Sequence, residues 1–300
     1  MGSKSTLAEL ARAETPPQWR IREPWPSARS RQRRREFGSV FDPVPPGALG
    51  DGLEIGGGDG FLASLVAGHC RSFVSSDSYR PRLAEGQTGA HPGVRRLVCD
   101  AARLPFGDGS FDFIFSSSVL EHIRDRRTLF QELRRCLRTG GVMVHIMPSR
   151  TWKLLQLLLY YPHQIIGGID LLLDALACKR RRLAAIAPAS TQAVDTNRWC
   201  DSRRVTLKLI LENVLPKPHG EYSGHIEEWR CFGTRAWERE FRAAGLAVQR
   251  VLRLPLYSGY GFGFDRLRPI GERHGLSSHN AFVLTVEGQR SPAAKWFERG

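Results

Sequence analysis

The sequence is most informative first in what it lacks. No uninterrupted apolar run reaches the roughly 18 residues that a membrane-spanning helix needs. The opening MGSKSTLAEL has no apolar core of the about 7–15 residues that a secretory signal carries. The six cysteines, at 70, 99, 136, 178, 200 and 231, include no C-x-x-C pair, so neither a zinc ribbon nor a thioredoxin-like redox pair is indicated. No repeat at a period of about 20–50 residues is visible, which sets aside solenoids and propellers. These absences lead us to expect a cytoplasmic protein with reduced thiols, at most peripheral on the inner membrane face. Acidic side chains are also in short supply: 30 against 44 basic ones, for a net charge of +14.

What is present is ordinary for a folded chain. With 41% apolar and 25% charged residues over 300 positions, wholly disordered, collagen-like and disulfide-stapled chains are excluded. The excess charge is unevenly spread: +4 over residues 1–50, +1 over 51–147, +4 over 148–233 and +5 over 234–300. Basic surface around a neutral middle favours an anionic partner.

Residues 1–45 read as a basic lead-in, helical at most near Ser30–Phe37, because proline-rich flanks favour extended chain. Over 46–147 short apolar runs alternate with helical patterns. Strands are predicted at Gly52–Ile55, Ser72–Ser76, Arg96–Cys99, Phe111–Phe115 and Gly141–Met147, with a helix at Arg127–Leu137 capped by Gly140. That rhythm builds a parallel sheet with helices on both faces. It stops over 148–233, a mainly helical insertion whose helices are expected at 151–161 and 165–178, followed by Lys179-Arg180-Arg181-Arg182. It returns over 234–300, where Trp237 and Phe241 share a helix face, Gly245 can cap that helix, and strands follow at Leu246–Leu252 and Ala281–Val286.

The chemistry centres on Glu54-Ile55-Gly56-Gly57-Gly58-Asp59-Gly60, an E-x-G-x-G-x-G run between a strand and a helix. Glycines let the backbone turn tightly and a ligand come close. The helix start behind them offers unpaired N–H groups. A dinucleotide fingerprint would need glycine where Phe61 stands. Asp77 ends the second strand, where a carboxylate can accept from ribose hydroxyls; Asp100 ends the third, where one can accept from a base amine. Loop, acid and acid thus share one rim of the sheet.

The run LEIGGGDG, then SSD, then CDAARLPFGDGSFDFIFSSSVLEHI, then LRRCLRTGGVMVHI resembles the class I S-adenosylmethionine-dependent methyltransferases of small-molecule type. The resemblance covers about half the chain. It implies a Rossmann-like α/β fold with a mostly parallel seven-stranded sheet, S-adenosyl-L-methionine as cofactor, and methyl transfer as the activity. It implies that Glu54, Gly56, Gly58 and Gly60 line the methionine and ribose side, that Asp77 holds the ribose, that Asp100 with Ala101 meets the adenine, and that Ser117 sits under the reactive end. Gly57 departs from the family, which often carries Cys, Thr or Ser there.

Methyl transfer to a hydroxyl needs a base, and histidine is the usual one. His122 follows the fourth strand on the ligand rim; His219 and His225 lie in the P-x-P-H-G region, where an insertion would overhang that rim. No metal is expected, since a His219/His225 pair has no evident third ligand. The acceptor is expected to be a glycan, a lipid-linked sugar or a quinone-like molecule. Lys179, Arg180, Arg181 and Arg182 suit an anionic membrane surface. The alternative is a basic nucleic-acid-binding or membrane-peripheral protein on this fold. Nucleic acid is disfavoured: Ser116-Ser117-Ser118 stands where base-amine methylating enzymes carry Asn/Asp-Pro-Pro-aromatic.

Overall fold

The computed structural model describes residues 25–79, 93–185, 216–257, 260, 262 and 267–298, with side chains outside the description at 25–28 and 170–185. Seven strands form one sheet: β1 (Asp51–Ile55), β2 (Ser72–Asp77), β3 (Val94–Val98), β4 (Phe111–Ser117), β5 (Leu137–Pro148), β6 (Leu246–Arg253) and β7 (His279–Val286), in the order β3-β2-β1-β4-β5-β7-β6. β1 to β5 pair in parallel, and β7 runs antiparallel to both β5 and β6. The strand order reverses between β1 and β4, and such a switch point opens a crevice at the strand C-termini.

Alternation along the strands builds the two faces. Phe113, Phe115, Val142, Val144 and Ile146 point to one core, with Phe73 and Leu62. Ile114, Met143 and Met147 point to the other, with Leu129, Leu133, Trp237 and Phe241. The helices are α1 (Trp25–Phe41), α2 (Phe61–Val66), α3 (Arg126–Cys136), α4 (Arg150–Ala185), α5 (His225–Cys231), α6 (Thr234–Ala243) and α7 (Arg268–Arg273). α1 and α2 cover the first face, α3 and α6 the second.

Three local expectations are corrected. The lead-in is not extended over its second half: α1 is a 17-residue helix. Pro26 sits in its first turn, where proline costs no hydrogen bond. Phe37 and Phe41, one turn apart with ring centroids at 5.0 Å, anchor it, and Phe41 meets Phe115 edge-on at 5.5 Å. Burial of that last turn overrides the charged texture before it. The insertion opens with one helix of 36 residues that runs through Pro162, not two. Pro162 forgoes a single bond to the preceding turn. Gly140 does not cap α3, which ends at Cys136 and passes straight into β5 through an extended Leu137. Gly140 instead takes φ +78° inside β5 and donates its N–H to Gln289 Oε1 at 3.0 Å. Gly245 does close α6, with φ +70° and its N–H on the Arg242 carbonyl at 2.9 Å. Among the described residues no helix is long and apolar enough to cross a membrane.

Candidate active site

The tips of β1, β2 and β4 define the site. β1 ends at Ile55 and the chain turns through Gly56 at φ +68°. A Cβ on Gly56 would lie 2.3 Å from Val119 Cγ2, so the residue is held to glycine by both conformation and space. Glu54 is buried beneath the loop, and its Oε2 accepts from Ser75 Oγ at 2.6 Å. Burial pushes its carboxyl up to about 7. Asp77, at the end of β2, accepts from Gly58 N–H at 2.9 Å and from Tyr79 N–H at 2.8 Å, which latches the glycine loop to the neighbouring strand. An ionised carboxylate has about four acceptor positions, so two remain. Asp100 is exposed and accepts from Ala102 N–H at 2.9 Å, building the turn that also contains Ala101. The Asp77 carbonyl accepts from Cys99 N–H at 3.2 Å, which holds the β2 and β3 tips side by side.

A cleft of about 560 Å³ opens beside the loop. Of the residues singled out in the sequence, Gly56, Gly58, Ser117, His122 and His219 line it. Glu54, Gly60, Asp77, Asp100, Ala101 and His225 do not. His225 turns its Nε2 to the Pro216 carbonyl at 2.9 Å. The loop, the buried acid below it and the free lone pairs of Asp77 form a donor and acceptor set that fits S-adenosylmethionine. The cleft is large enough for its reactive end, and Gly56, Gly57 and Gly58 present only backbone to it.

The opposite wall holds groups that the sequence alone does not single out. His279, 6% exposed, faces Glu36 of α1, with Nδ1 3.0 Å from Glu36 Oε1. Tyr257 Oη donates to the same Glu36 Oε1 at 2.8 Å and contacts the His279 ring. The other ring nitrogen, Nε2, lies 3.4 Å from Ser118 Oγ. Ser118 is the one described non-glycine residue with positive φ, at 55°, and its N–H donates to the Ile146 carbonyl at 2.9 Å. A third group surrounds Glu121, which is fully buried in the short turn after β4. The Nε2 atoms of His122 and His219 lie 4.0 Å and 3.8 Å from Glu121 Oε1. His219 thus pairs with His122, ring centroids 4.6 Å apart, rather than with His225.

A family model described as a methyltransferase domain matches residues 53–145. An uncharacterized methyltransferase of Mycobacterium sp. (strain JLS) is 37% identical over 92 residues, covering 31% of this chain and 36% of that protein. The chain therefore spans little more than a third of the length of such relatives. The 2-methyl-6-phytyl-1,4-hydroquinone methyltransferase of Synechocystis sp. is 32% identical over 236 residues, covering 74% of this chain and 67% of the relative. The crystal structure of an S-adenosylmethionine dependent methyltransferase from Mesorhizobium loti aligns over 87% of this chain and 96% of that one, at 12% identity and a TM-score of 0.46.

Proposed function

The chain belongs to the class I S-adenosylmethionine-dependent methyltransferases, and from that premise we propose that it methylates a hydroxyl oxygen of a small, quinol-like acceptor. One observation carries the reading: the glycine loop and three histidines, His122, His219 and His279, line the same cleft. Bound S-adenosylmethionine supplies an activated methyl group with a good leaving group. What remains for the protein is alignment, exclusion of water, and removal of the hydroxyl proton.

His279 is the base this wall prepares. With Nδ1–H donating to Glu36, the tautomer leaves Nε2 as the acceptor that faces the cleft. Glu36 holds the ring in place and stabilises the imidazolium that forms when the proton arrives. His122 and His219 flank the acceptor side, and Trp152, whose ring lies 5.0 Å from that of His219, offers an apolar wall to a flat ring. The quinol class is supported by the hydroquinone methyltransferase relative and by this aromatic lining; a glycan or lipid-linked sugar is the competing acceptor.

The test is transfer of isotopically labelled methyl from S-adenosylmethionine to a panel of quinols, phenols and lipid-linked sugars, beside calorimetry with S-adenosylhomocysteine. Label in a quinol ether supports the reading. Label only in sugar lipids overturns the acceptor, and no heat with S-adenosylhomocysteine overturns the cofactor assignment. His279→Asn is expected to lower kcat about 100-fold or more while S-adenosylhomocysteine affinity stays unchanged.

A peripheral membrane role is part of the same proposal. On α4, Leu154, Leu158, Tyr161, Ile165 and Ile169 recur at helical spacing and are all exposed, with Leu158 and Ile165 at 63%. Lys179–Arg182 follow in the same helix, in the part whose side chains lie outside the described residues. An apolar stripe continued by cations suits anionic lipid. Flotation with anionic vesicles, lost in Leu158→Glu/Ile165→Glu, supports it; no flotation of the parent protein overturns it.

A further inference from the structure

We propose that Glu121, His122 and His219 bind one first-row divalent cation of the zinc type at the edge of the cleft. The three residues each offer a ligand atom, and these atoms all lie within 4.8 Å of one another. A cation at about 2.0–2.1 Å from each ligand would want ligand pairs roughly 3.3 Å apart in a tetrahedral arrangement. The two carboxylate-to-imidazole separations, 4.0 Å and 3.8 Å, exceed that by only a few tenths of an ångström. Small rotations of two side chains would close them.

The second observation is the state of Glu121. Its side chain is fully buried, and neither Oε1 nor Oε2 has a hydrogen-bond partner among the described residues. A buried carboxylate without donors is costly, and buried charges are normally paired or coordinate a metal. Glu121 Oε1 faces both imidazoles. A cation between the three would supply the missing charge.

The cluster is also held in advance. Gly220 takes φ +78° directly after His219, and a Cβ there would lie 2.5 Å from the Glu121 carbonyl oxygen. Glu221 N–H donates to that same carbonyl at 3.2 Å, and His219 N–H donates to Glu228 Oε2 at 3.0 Å. The loop that brings His219 is therefore fastened on both sides of the histidine. Two imidazoles and one carboxylate select a first-row transition ion or zinc over magnesium or calcium, which prefer oxygen. Three protein ligands leave further positions open, and since His122 and His219 both line the cleft, those positions face it. If the acceptor reading above holds, the open position would take the acceptor oxygen and lower its pKa; binding itself does not depend on that reading.

The experiment is titration of the untagged full chain with Co²⁺, followed by visible absorption, with Zn²⁺ competition. One equivalent giving d–d bands that Zn²⁺ abolishes is the expected result. His122→Ala, His219→Ala and the isosteric Glu121→Gln should each weaken Co²⁺ binding at least tenfold. His122 is well exposed, so its variant tests the site even if the Glu121 variant folds poorly. No Co²⁺ binding to the parent protein, or unchanged binding in both histidine variants, overturns the site. Calorimetry with S-adenosylhomocysteine in the same samples separates the two claims: heat without a Co²⁺ site sinks only the metal, and a Co²⁺ site without heat sinks only the cofactor.

Discussion

Replacing Gly57 by alanine tests the packing beneath the glycine loop. Unlike Gly56, Gly58 and Gly60, Gly57 does not have positive φ, so alanine is conformationally acceptable there. The cost is steric. The added Cβ would lie 2.0 Å from Ser75 Oγ and 2.6 Å from Glu54 Oε2. Retreat of the loop is opposed by the Gly57 N–H bond to the Ser76 carbonyl at 2.9 Å. The Ser75 hydroxyl must therefore swing away, which breaks its 2.6 Å bond to Glu54. Both residues are buried, so the orphaned carboxyl costs about 1–3 kcal/mol. Crowding of Glu54 adds about 1–3 kcal/mol, and the stiffer unfolded chain returns about 0.4–1 kcal/mol. Urea unfolding should find Gly57→Ala destabilised by about 2–4 kcal/mol. Ser75→Ala already removes both the hydrogen bond and the clashing atom, so the double variant should be more stable than the sum of the singles by at least about 1 kcal/mol. Additivity within about 0.5 kcal/mol, or a Gly57→Ala protein as stable as its parent, would refute the reasoning.

Two further outcomes follow from buried charge. Burial raises the Glu54 pKa from 4.5 to about 7, so between these values the folded state holds a proton that the unfolded state has lost. That contribution is fully present below pH 4.5 and is lost as pH rises through 7. The unfolding free energy of the parent minus that of Glu54→Gln should thus fall by on the order of 3 kcal/mol from pH 4.5 to 8; parallel urea profiles at the two pH values would contradict it. His145, whose pKa burial lowers to about 3, contributes the opposite slope, but it is common to both proteins and cancels. Separately, Lys153 on α4 and Glu228 on α5 pair at 2.5 Å with both side chains out of solvent. Lys153→Met should cost about 3–5 kcal/mol by leaving Glu228 charged and buried, and adding Glu228→Gln should restore much of it; a single variant within about 1 kcal/mol of the parent in urea melts would rule this out.

The donor half of the site is legible in the sequence because it is local to the βα rhythm. Glu54, the glycines and Asp77 all sit at or just past the end of an apolar run, and apolar runs of that length followed by helical spacing are what sequence patterns report best. The half proposed for the acceptor is not local. Glu36 lies in a stretch whose five arginines between 29 and 35 leave it reading as solvated charge; packing of Phe37 and Phe41 against the core turns that segment into a helix that carries Glu36 to 4% exposure. His219 and His225 look equivalent in the P-x-P-H-G-E-Y-S-G-H run, and the left-handed turn at Gly220 decides between them by pressing His219 toward Glu121. Glu121 itself reads as an ordinary acid in a turn, and nothing in its neighbours along the chain announces that it is buried.

The reversal of β7 explains how the wall assigned above to the acceptor comes to exist. In a wholly parallel sheet the rim at the strand C-termini receives only residues that follow strands. β7 runs the other way, so its first residue arrives at that rim: His279 pairs in register with Pro148, the last residue of β5. Ser149 N–H then donates to the Ser278 carbonyl at 2.9 Å, which fastens the approach to β7 to the start of α4. One antiparallel strand thereby delivers a histidine to a ledge that β1 and β4 have already furnished with the glycine loop and Ser118. α1 and α4 bring Glu36 and Trp152 against His279, and the 216–223 loop sets His219 against Trp152 on the same cleft. Acceptor selectivity should therefore change with substitutions in those three segments while affinity for S-adenosylhomocysteine holds, because the residues proposed to cradle the donor lie at and just past the ends of β1 and β2.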